Sequence, residues 1–491
     1  MAEQQNESKV PKEITPRSVD FSQWYVDVVR KAELADYTTM KGCRVIRPYG
    51  YALWENMRDA LDRRIKDTGH QNAYFPLFVP ESLLKKEAAH VEGFAPEVAW
   101  VTHGGNEPLE ERLAIRPTSE AIICSIYADW VQSWRDLPIL INQWANVVRW
   151  EKVTRLFLRT TEFLWQEGHT CHRTHEEGIE ETLKMLRVYA EYAETELAMP
   201  VIVGMKTENE KFPGAETTYC IEALMSDGRA LQAGTSHDLG QHFSQMFDIT
   251  FEDEDQVRKH VWQTSWGVST RLVGGVIMTH GDENGLILPP RIAPVQVVVV
   301  PIFKAANKAE VLAKAQEIGA RLKAAGVRVR VDDRDQYSPG WKFNDWEMRG
   351  VPLRLEIGPK DIEKQQCVLA RRDNREKAFV PLTELEARVP ALLAQLQTDL
   401  LERARRFRDE NTRTVASFDE FRQVIEDKRG FIRAGWNGDP AVELKIKEET
   451  KATIRCIPLG DDNRPLPPPE GLKCIYTGEP AKYEVYFARA Y

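Results

Sequence analysis

No stretch of this chain is long and apolar enough to cross a bilayer. The apolar run Val297–Val300 is closed off by Pro294 and Pro301, far short of the roughly 20 residues a membrane helix needs. Met1 to Glu13 are polar and charged and contain no apolar segment of the secretory-signal kind. Cysteine is sparse: seven residues, scattered at 43, 124, 171, 220, 367, 456 and 474. That scatter indicates reduced thiols and not a disulfide framework. Internal repeats and a P-loop are also missing. There is no basic excess either, and a net charge of −9 argues against nonspecific coating of nucleic acid while leaving room for a local basic face. These absences together predict a soluble cytoplasmic protein with no membrane partner.

At 491 residues, 42% of them hydrophobic, the chain exceeds one core, and two or three domains are expected. Phe21, Trp24, Tyr25, Val28 and Val29 fall at helical spacing behind an Asp20 N-cap. Pro48 precedes a long amphipathic helix carrying Leu53, Met57, Ala60, Leu61 and Ile65 and ending near Gly69; Tyr74 to Val79 reads as a strand closed by Pro80. From about Leu137 to Leu288 short strands dominate, with one helix around Gly178–Glu196, which predicts an antiparallel sheet built of hairpins. The pattern changes at Pro289–Pro294. The strand Val295–Val300, the helix Lys308–Ala325 and the alternating Val327, Val329 and Val331 make a β-α-β unit, placing a boundary at about 291. A second change near 400 brings a charged helix, Thr398–Arg413, and then a proline-rich loop, Pro465 to Pro469. The chain closes on alternating Tyr483, Val485 and Phe487 and a terminal Tyr491. The expectation is an α+β domain over 1–290, an α/β domain over 291–400 and a small α+β unit over 401–491.

Chemistry concentrates in two places. Arg149-Trp150-Glu151 leads through a basic loop to Arg159, then to Phe163-Leu164-Trp165-Gln166-Glu167-Gly168-His169. A hundred residues later comes Gln263-Thr264-Ser265-Trp266-Gly267-Val268-Ser269-Thr270-Arg271. Planar arginine forks and a stacking aromatic suit a nucleoside triphosphate and its transition-state charge. Singly, each piece is bland: Arg-x-Glu carries no signal, Thr118 reads as a cap for the helix from Ser119, and His169 as a satisfied core histidine. As an ordered set they are specific. His169, Cys171, His172 and His175 also cluster, but Cys-His-x-x-His is not a tetrahedral zinc spacing.

The set is similar to motifs 2 and 3 of the class II aminoacyl-tRNA synthetases, and Trp165–His169 resembles the wording of the prolyl-tRNA synthetases, of the archaeal/eukaryotic-like type with a C-terminal extension. The helix–strand unit from Pro48 to Pro80 resembles motif 1, which implies a homodimer. The resemblance implies a class II fold in the first domain and ATP-dependent attachment of L-proline to tRNA(Pro) through prolyl-adenylate, releasing AMP and diphosphate. It makes Arg149, Glu151 and Arg271 the catalytic set. Arg159, Thr160, Phe163, Gln232, Thr235 and Ser269 join the two arginines around ATP, with Mg²⁺ near Gln232 and Glu222. Thr118 and Glu120 receive the proline nitrogen, while Trp165, Glu167, His169 and His237 wall the ring and Arg149 meets the carboxylate. One departure is Thr161, where the family usually carries arginine.

The α/β unit, with Ser338–Glu347, Gly350–Arg354 and Ile357–Asp361, looks like the anticodon-binding domain of the prolyl, threonyl, histidyl and glycyl enzymes, and Glu347, Lys360 and Asp361 sit where the family reads two guanines. In the extension, three of the four zinc-ligand positions of related enzymes have become Asn437, Val442 and Thr477, leaving Cys474 alone. No zinc is expected there; packing of Val442, Ile446, Ile457 and Ile475 replaces it. About ninety residues separate Gly168 from Val261, too few for an inserted editing domain beside the catalytic strands. The rivals are a threonyl-tRNA synthetase, which should carry a Cys/His/His zinc set not found here, and a non-catalytic relative, which should have lost the motif arginines.

Overall fold

Residues 14–88, 97–427 and 429–491 are described by a computed structural model of the chain. The reading of Met1 to Glu13 lies outside them. Helix Phe21–Lys31 starts where Asp20 accepts from the backbone N–H groups of Ser22 and Gln23 at 2.9 and 3.0 Å, satisfying donors that have no intrahelical partner. Pro48 opens helix Pro48–Asp67 at a position where its missing N–H costs nothing. Leu53, Met57, Leu61 and Ile65 of that helix are fully buried, one every turn. With helices His175–Thr195 and Arg271–His280 they cover one face of a large sheet, packing Trp24, Met185, Tyr189, Trp266 and Val273 into one apolar cluster.

That sheet has eleven strands. Its order runs Thr412–Thr414, Phe431–Trp436, Tyr483–Ala488, Thr453–Pro458, Val201–Met205, Thr217–Leu224, Ala230–Gly240, Trp262–Ser269, Glu162–His172, Ile139–Val148 and Gln71–Asn72. Only the two outermost pairs are parallel. Gly168 pairs with Trp266, and a Cβ at 168 would lie 2.2 Å from the indole. Only glycine lets the ring cross here.

The expected strand from Tyr74 to Val79 is not continuous. Strands Gln71–Asn72 and Phe78–Pro80 flank an irregular stretch, because the Phe75 N–H goes to the Gln143 side chain and not to a ladder carbonyl. The expected β-α-β unit is present within a five-stranded sheet ordered Val329–Val331, Val297–Pro301, Leu353–Ile357, Gln366–Arg371 and Lys377–Pro381. The first three strands are parallel, and helices Lys308–Ala324 and Leu385–Glu410 pack against them through Ile318, Leu322, Val389 and Leu396. The charged helix expected from Thr398 is the second half of Leu385–Glu410, which continues through Pro390 and across position 400.

The C-terminal strands do not form a sheet of their own. Ile457 pairs with Met205 and Pro458 with Gly204, fusing the C-terminal ladder to the edge strand of the first domain's ladder. Their own apolar cluster contains Phe421, Val442, Ile446, Ile457, Cys474, Ile475 and Phe487. Phe421 is fully buried and meets Phe487 edge-on at 5.1 Å. Phe421→Ala is therefore expected to destabilise this unit by about 3–5 kcal/mol, read as a lowered urea midpoint of the C-terminal tryptophan signal.

Candidate active site

Side chains alternate along a strand, so Trp165, Glu167 and His169 share one face of Glu162–His172. On the neighbouring strand Trp262–Ser269, Ser269, Gly267 and Ser265 lie opposite them. Arg149 follows the last residue of Ile139–Val148, its N–H donating to the Thr161 carbonyl at 2.8 Å. The loop from Arg116 to Glu120 is fixed from beneath. Buried Arg116 donates to the Phe75 carbonyl at 2.7 Å, to the Asn146 carbonyl at 2.8 Å and to Asn146 Oδ1 at 3.0 Å.

These elements enclose a cavity of about 380 Å³. Thr118, Glu120, Arg149, Glu151, Arg159, Thr160, Phe163 and Trp165 line it, as do Glu167, His169, Gln232, Thr235, His237, Ser269 and Arg271. Arg149 reaches the cavity mouth with its Nε donating to the Pro117 carbonyl at 3.0 Å and its guanidinium 5.6 Å from the Phe163 ring and 5.3 Å from Trp165. Surrounding protein pushes the pKa of both Arg149 and Arg271 down, Glu167 and Glu151 opposing that at Arg149, yet guanidinium stays charged. Arg159, more exposed, pairs with Glu151 at 3.0 Å. Thr118 Oγ1 accepts weakly from the Glu120 N–H at 3.4 Å.

Deeper in, Glu167 accepts from the Ser119 N–H at 3.2 Å and Gln143 Nε2 at 2.9 Å, and its Oε2 lies 3.1 Å from His169 Nε2. His169 Nδ1 lies 3.5 Å from Glu120 Oε1, an oxygen that receives no hydrogen bond. Burial alone would lower the pKa of His169, but Glu120 and Glu167 on either side raise it to about 10. Burial opposes the Glu167 charge, and the His169 bond holds its carboxyl below the usual range. His237 differs: burial, and then the His169 charge, push it down to about 3. Its Nδ1 is 2.9 Å from Thr218 Oγ1. Glu120 and Glu167 thus flank His169 on its two ring nitrogens, with His237 beside them.

Glu222 is a correction. It does not border the cavity: its fully buried carboxylate is taken by Lys206 Nζ at 2.8 Å and by Arg455 Nη2 at 2.9 Å. The clustered His and Cys residues diverge as well. Cys171 joins an apolar cluster, His172 meets Thr170 Oγ1 at 2.8 Å, and His175 meets Asp238 at 2.8 Å outside the cavity. Sequence reasoning missed Glu210, Lys211, Phe212 and Thr218, which also line the cavity. They precede or begin a strand in an ordinary polar stretch, with no motif to mark them.

In the α/β unit a second cavity, about 200 Å³, is lined by Trp346, Glu347, Arg354, Arg371, Arg372, Arg375 and Lys377. Glu347 belongs to it, 3.5 Å from Arg375. Lys360 and Asp361 lie instead on the short helix Pro359–Glu363, where Asp361 Oδ2 accepts from the Gly358 N–H at 2.9 Å. The basic residues around Glu347 come from three strands and from the turn that joins two of them, and carry no local signature.

An arginine-lined cavity on an antiparallel sheet, joined to an α/β domain, is the arrangement of a class II aminoacyl-tRNA synthetase. Family models agree: "tRNA synthetase class II core domain (G, H, P, S and T)" matches residues 100–280, "Anticodon binding domain" 296–392 and "Prolyl-tRNA synthetase, C-terminal" 418–491. The chain is 59% identical to the proline–tRNA ligase of Natranaerobius thermophilus over 99% of both sequences. It is 57% identical to proline–tRNA ligase 2 of Clostridioides difficile, again over 99% of both. A crystal structure of prolyl-tRNA synthetase from Cryptosporidium parvum, complexed with halofuginone and AMPPNP, superposes with a TM-score of 0.92 at 44% identity, covering 97% of this chain and 99% of that one. The chain belongs to the prolyl-tRNA synthetase family.

The two histidines make opposite demands on pH. With an unfolded value near 6.5, the raised His169 contributes stability that is fully present below about pH 6.5 and is lost as pH rises through about 10. The depressed His237 contributes stability present above pH 6.5 and lost as pH falls towards about 3. NMR titration should find His169 still an imidazolium at pH 8 and His237 still neutral at pH 5. A His169 midpoint near 6.5 would refute that assignment.

Proposed function

We propose that this chain joins L-proline to tRNA(Pro) in two steps. The proline carboxylate first attacks the α-phosphate of ATP, releasing diphosphate; the terminal ribose of tRNA then takes the prolyl group, releasing AMP. The observation that carries this is the meeting of Arg149, Arg159 and Arg271 with Glu120, Glu167 and His169 in one cavity. Step one needs no covalent nucleophile from the protein. It needs two anions held together and charge neutralised in the transition state.

In this reading Arg149 bridges the carboxylate and the α-phosphate, with Glu151 holding Arg159 towards the outer phosphates and Arg271 meeting them from the first turn of helix Arg271–His280. Phe163 stacks on adenine, while Thr160, Gln232, Thr235 and Ser269 bind along the nucleotide. The secondary ammonium goes to Thr118 and Glu120, whose Oε1 has no hydrogen-bond donor; Trp165, Glu167, His169 and His237 enclose the ring. Mg²⁺ binds one or two protein oxygens and completes its shell with phosphates and water. Gln232 fits that minimal role; Glu222, committed to Lys206 and Arg455, does not. Magnesium, when bound, supplies charge neutralisation on the phosphates.

The same reading assigns 1–290 to catalysis, 291–400 to anticodon recognition with Glu347, Lys360 and Asp361 facing bases, and 401–491 to a zinc-free extension. Exposed Tyr37, Met40, Val45, Tyr74 and Phe78, on or beside the motif 1 unit, support a homodimer. No helix among the described residues is long and apolar enough to cross a membrane, in keeping with a cytoplasmic site of action.

Proline-dependent ATP–pyrophosphate exchange tests the function, and it separates it from threonine activation and from a non-catalytic relative. Arg149→Ala should lower that exchange by about 10²–10³ while the far-UV spectrum is retained; activity within tenfold of the parent would remove Arg149 from its role. Zinc is a separate matter. A structural site needs four donors, and the extension offers Asn437, Val442, Cys474 and Thr477 at those positions. Elemental analysis of chelator-treated protein should give well under one zinc per chain with the C-terminal fold unchanged.

A further inference from the structure

The segment from Lys206 to Glu216 connects two strands of the catalytic sheet and forms part of the cavity wall through Glu210, Lys211 and Phe212. A connection of this kind is ordinarily mobile. Here it is held from outside the catalytic core, by the C-terminal helix Pro440–Thr450. Glu443 of that helix is only 2% exposed. Its two carboxylate oxygens are divided between two residues of the segment: Oε1 accepts from Thr207 Oγ1 at 2.8 Å and Oε2 from Asn209 Nδ2 at 3.0 Å. Asn209 Nδ2 also reaches the Pro440 carbonyl at 2.9 Å.

Thr207 passes the constraint on. Its carbonyl accepts from the N–H groups of both Glu210 and Lys211, at 3.1 and 2.9 Å, so the turn that presents the cavity-lining residues is built on the residue Glu443 grips. Beyond the turn, the Phe212 N–H donates to Thr218 Oγ1 at 2.9 Å, and the same hydroxyl meets His237 Nδ1. The Phe212 ring lies 5.2 Å from the His237 ring. At its start the segment is fixed again, where Lys206 Nζ donates to Glu222 and to the Arg455 carbonyl at 2.7 Å. A surface contact between Lys447 and Glu210 adds little. Glu443 is a buried link in this chain, as Lys206 is; burial pushes its carboxyl above the usual range and the Thr207 and Asn209 bonds oppose that, so leaving those buried groups unmatched would be costly.

We propose that Glu443 is a positioning residue for the substrate pocket: from the C-terminal helix it grips Thr207 and Asn209 and so holds Lys211 and Phe212 in the wall beside His237. The proposal rests on the functional reading above. It gives the C-terminal unit a task in amino-acid binding that does not depend on a metal.

The test uses the full-length enzyme and proline-dependent pyrophosphate exchange, with KM for proline, KM for ATP and kcat measured separately. Glu443→Ala should raise KM for proline about tenfold, as expected for loss of bonds to a buried charge, with kcat changed less. Glu443→Gln keeps one acceptor but turns an NH₂ group towards a donor, and should fall in between. Thr207→Val should raise the same KM, and combining it with Glu443→Ala should add little, because both cut one link. Lys445→Ala, exposed on the same helix, should leave all three constants at parental values. A purely structural role would lower the melting temperature and leave the KM ratio unmoved; that result, or full additivity of Thr207→Val with Glu443→Ala, overturns the proposal. Should Glu443→Ala not fold, Glu443→Gln and Thr207→Val decide by the same criteria. An active parent with unmoved variants defeats the proposal alone, whereas a parent without proline-dependent exchange defeats the functional reading and the proposal with it.

Discussion

Charge held away from water is the constraint around which the catalytic half is built. An isolated buried carboxylate or imidazolium is costly, and only close, well-bonded partners make it tolerable. Glu120, His169 and Glu167 meet that condition by bracketing one cation with two anions. Their surroundings are explained by the need to keep that arrangement. Gln143 bonds both Glu167 and the Ser119 hydroxyl, and the Tyr127 hydroxyl donates to the His169 carbonyl at 2.9 Å. The antiparallel ladder then sets the spacing, since a slip of one residue would turn Glu167 and His169 to the opposite face.

A second buried charge group does for the C-terminal extension what this trio does for the pocket. Lys206, Glu222 and Arg455 come from the segment after one strand, from the strand beside it, and from Thr453–Pro458. Removing Glu222 would leave two uncompensated cations in the interior. The extension is thus tied to the catalytic sheet by strand pairing, by ions and by Glu443, and not merely tethered by its linker. Terminal Tyr491 continues the same theme, its hydroxyl bonded to Asp227 at 2.7 Å and its ring facing Arg155 and Arg229.

What could be read in the sequence follows from how local each feature is. Alternation put Trp165, Glu167 and His169 on one face, and periodicity marked helices Phe21–Lys31 and Pro48–Asp67, because those patterns are complete within a few residues. Much of the cavity lining was legible through short motifs in a fixed order, whereas Glu210, Lys211, Phe212 and Thr218 carry no motif. The pairing of Ile457 with Met205 spans some 250 residues and involves two strands that each look complete alone, so nothing local announces it. The reading began this helix at Thr398, where its charged half starts; the apolar residues Val389, Leu393, Leu396 and Leu400 on its buried face carry Leu385–Glu410 through Pro390.

Glu222 shows why a carboxylate near a motif is weak evidence for a metal ligand. On sequence it stands on a strand next to Gln232, and in the structure the two are paired across the ladder. Pairing fixes where the backbone lies, but the partners of the side chain are fixed by what approaches from the far side of the sheet. Here that is Lys206 and Arg455, two cations that leave the carboxylate no oxygen for an ion in the cavity. The same long-range approach that takes up Glu222 brings Glu443 to Thr207 and Asn209, behind the cavity wall. Both follow from docking the C-terminal strands on the edge strand Val201–Met205, so the composition of the catalytic wall is decided partly by residues more than two hundred positions away.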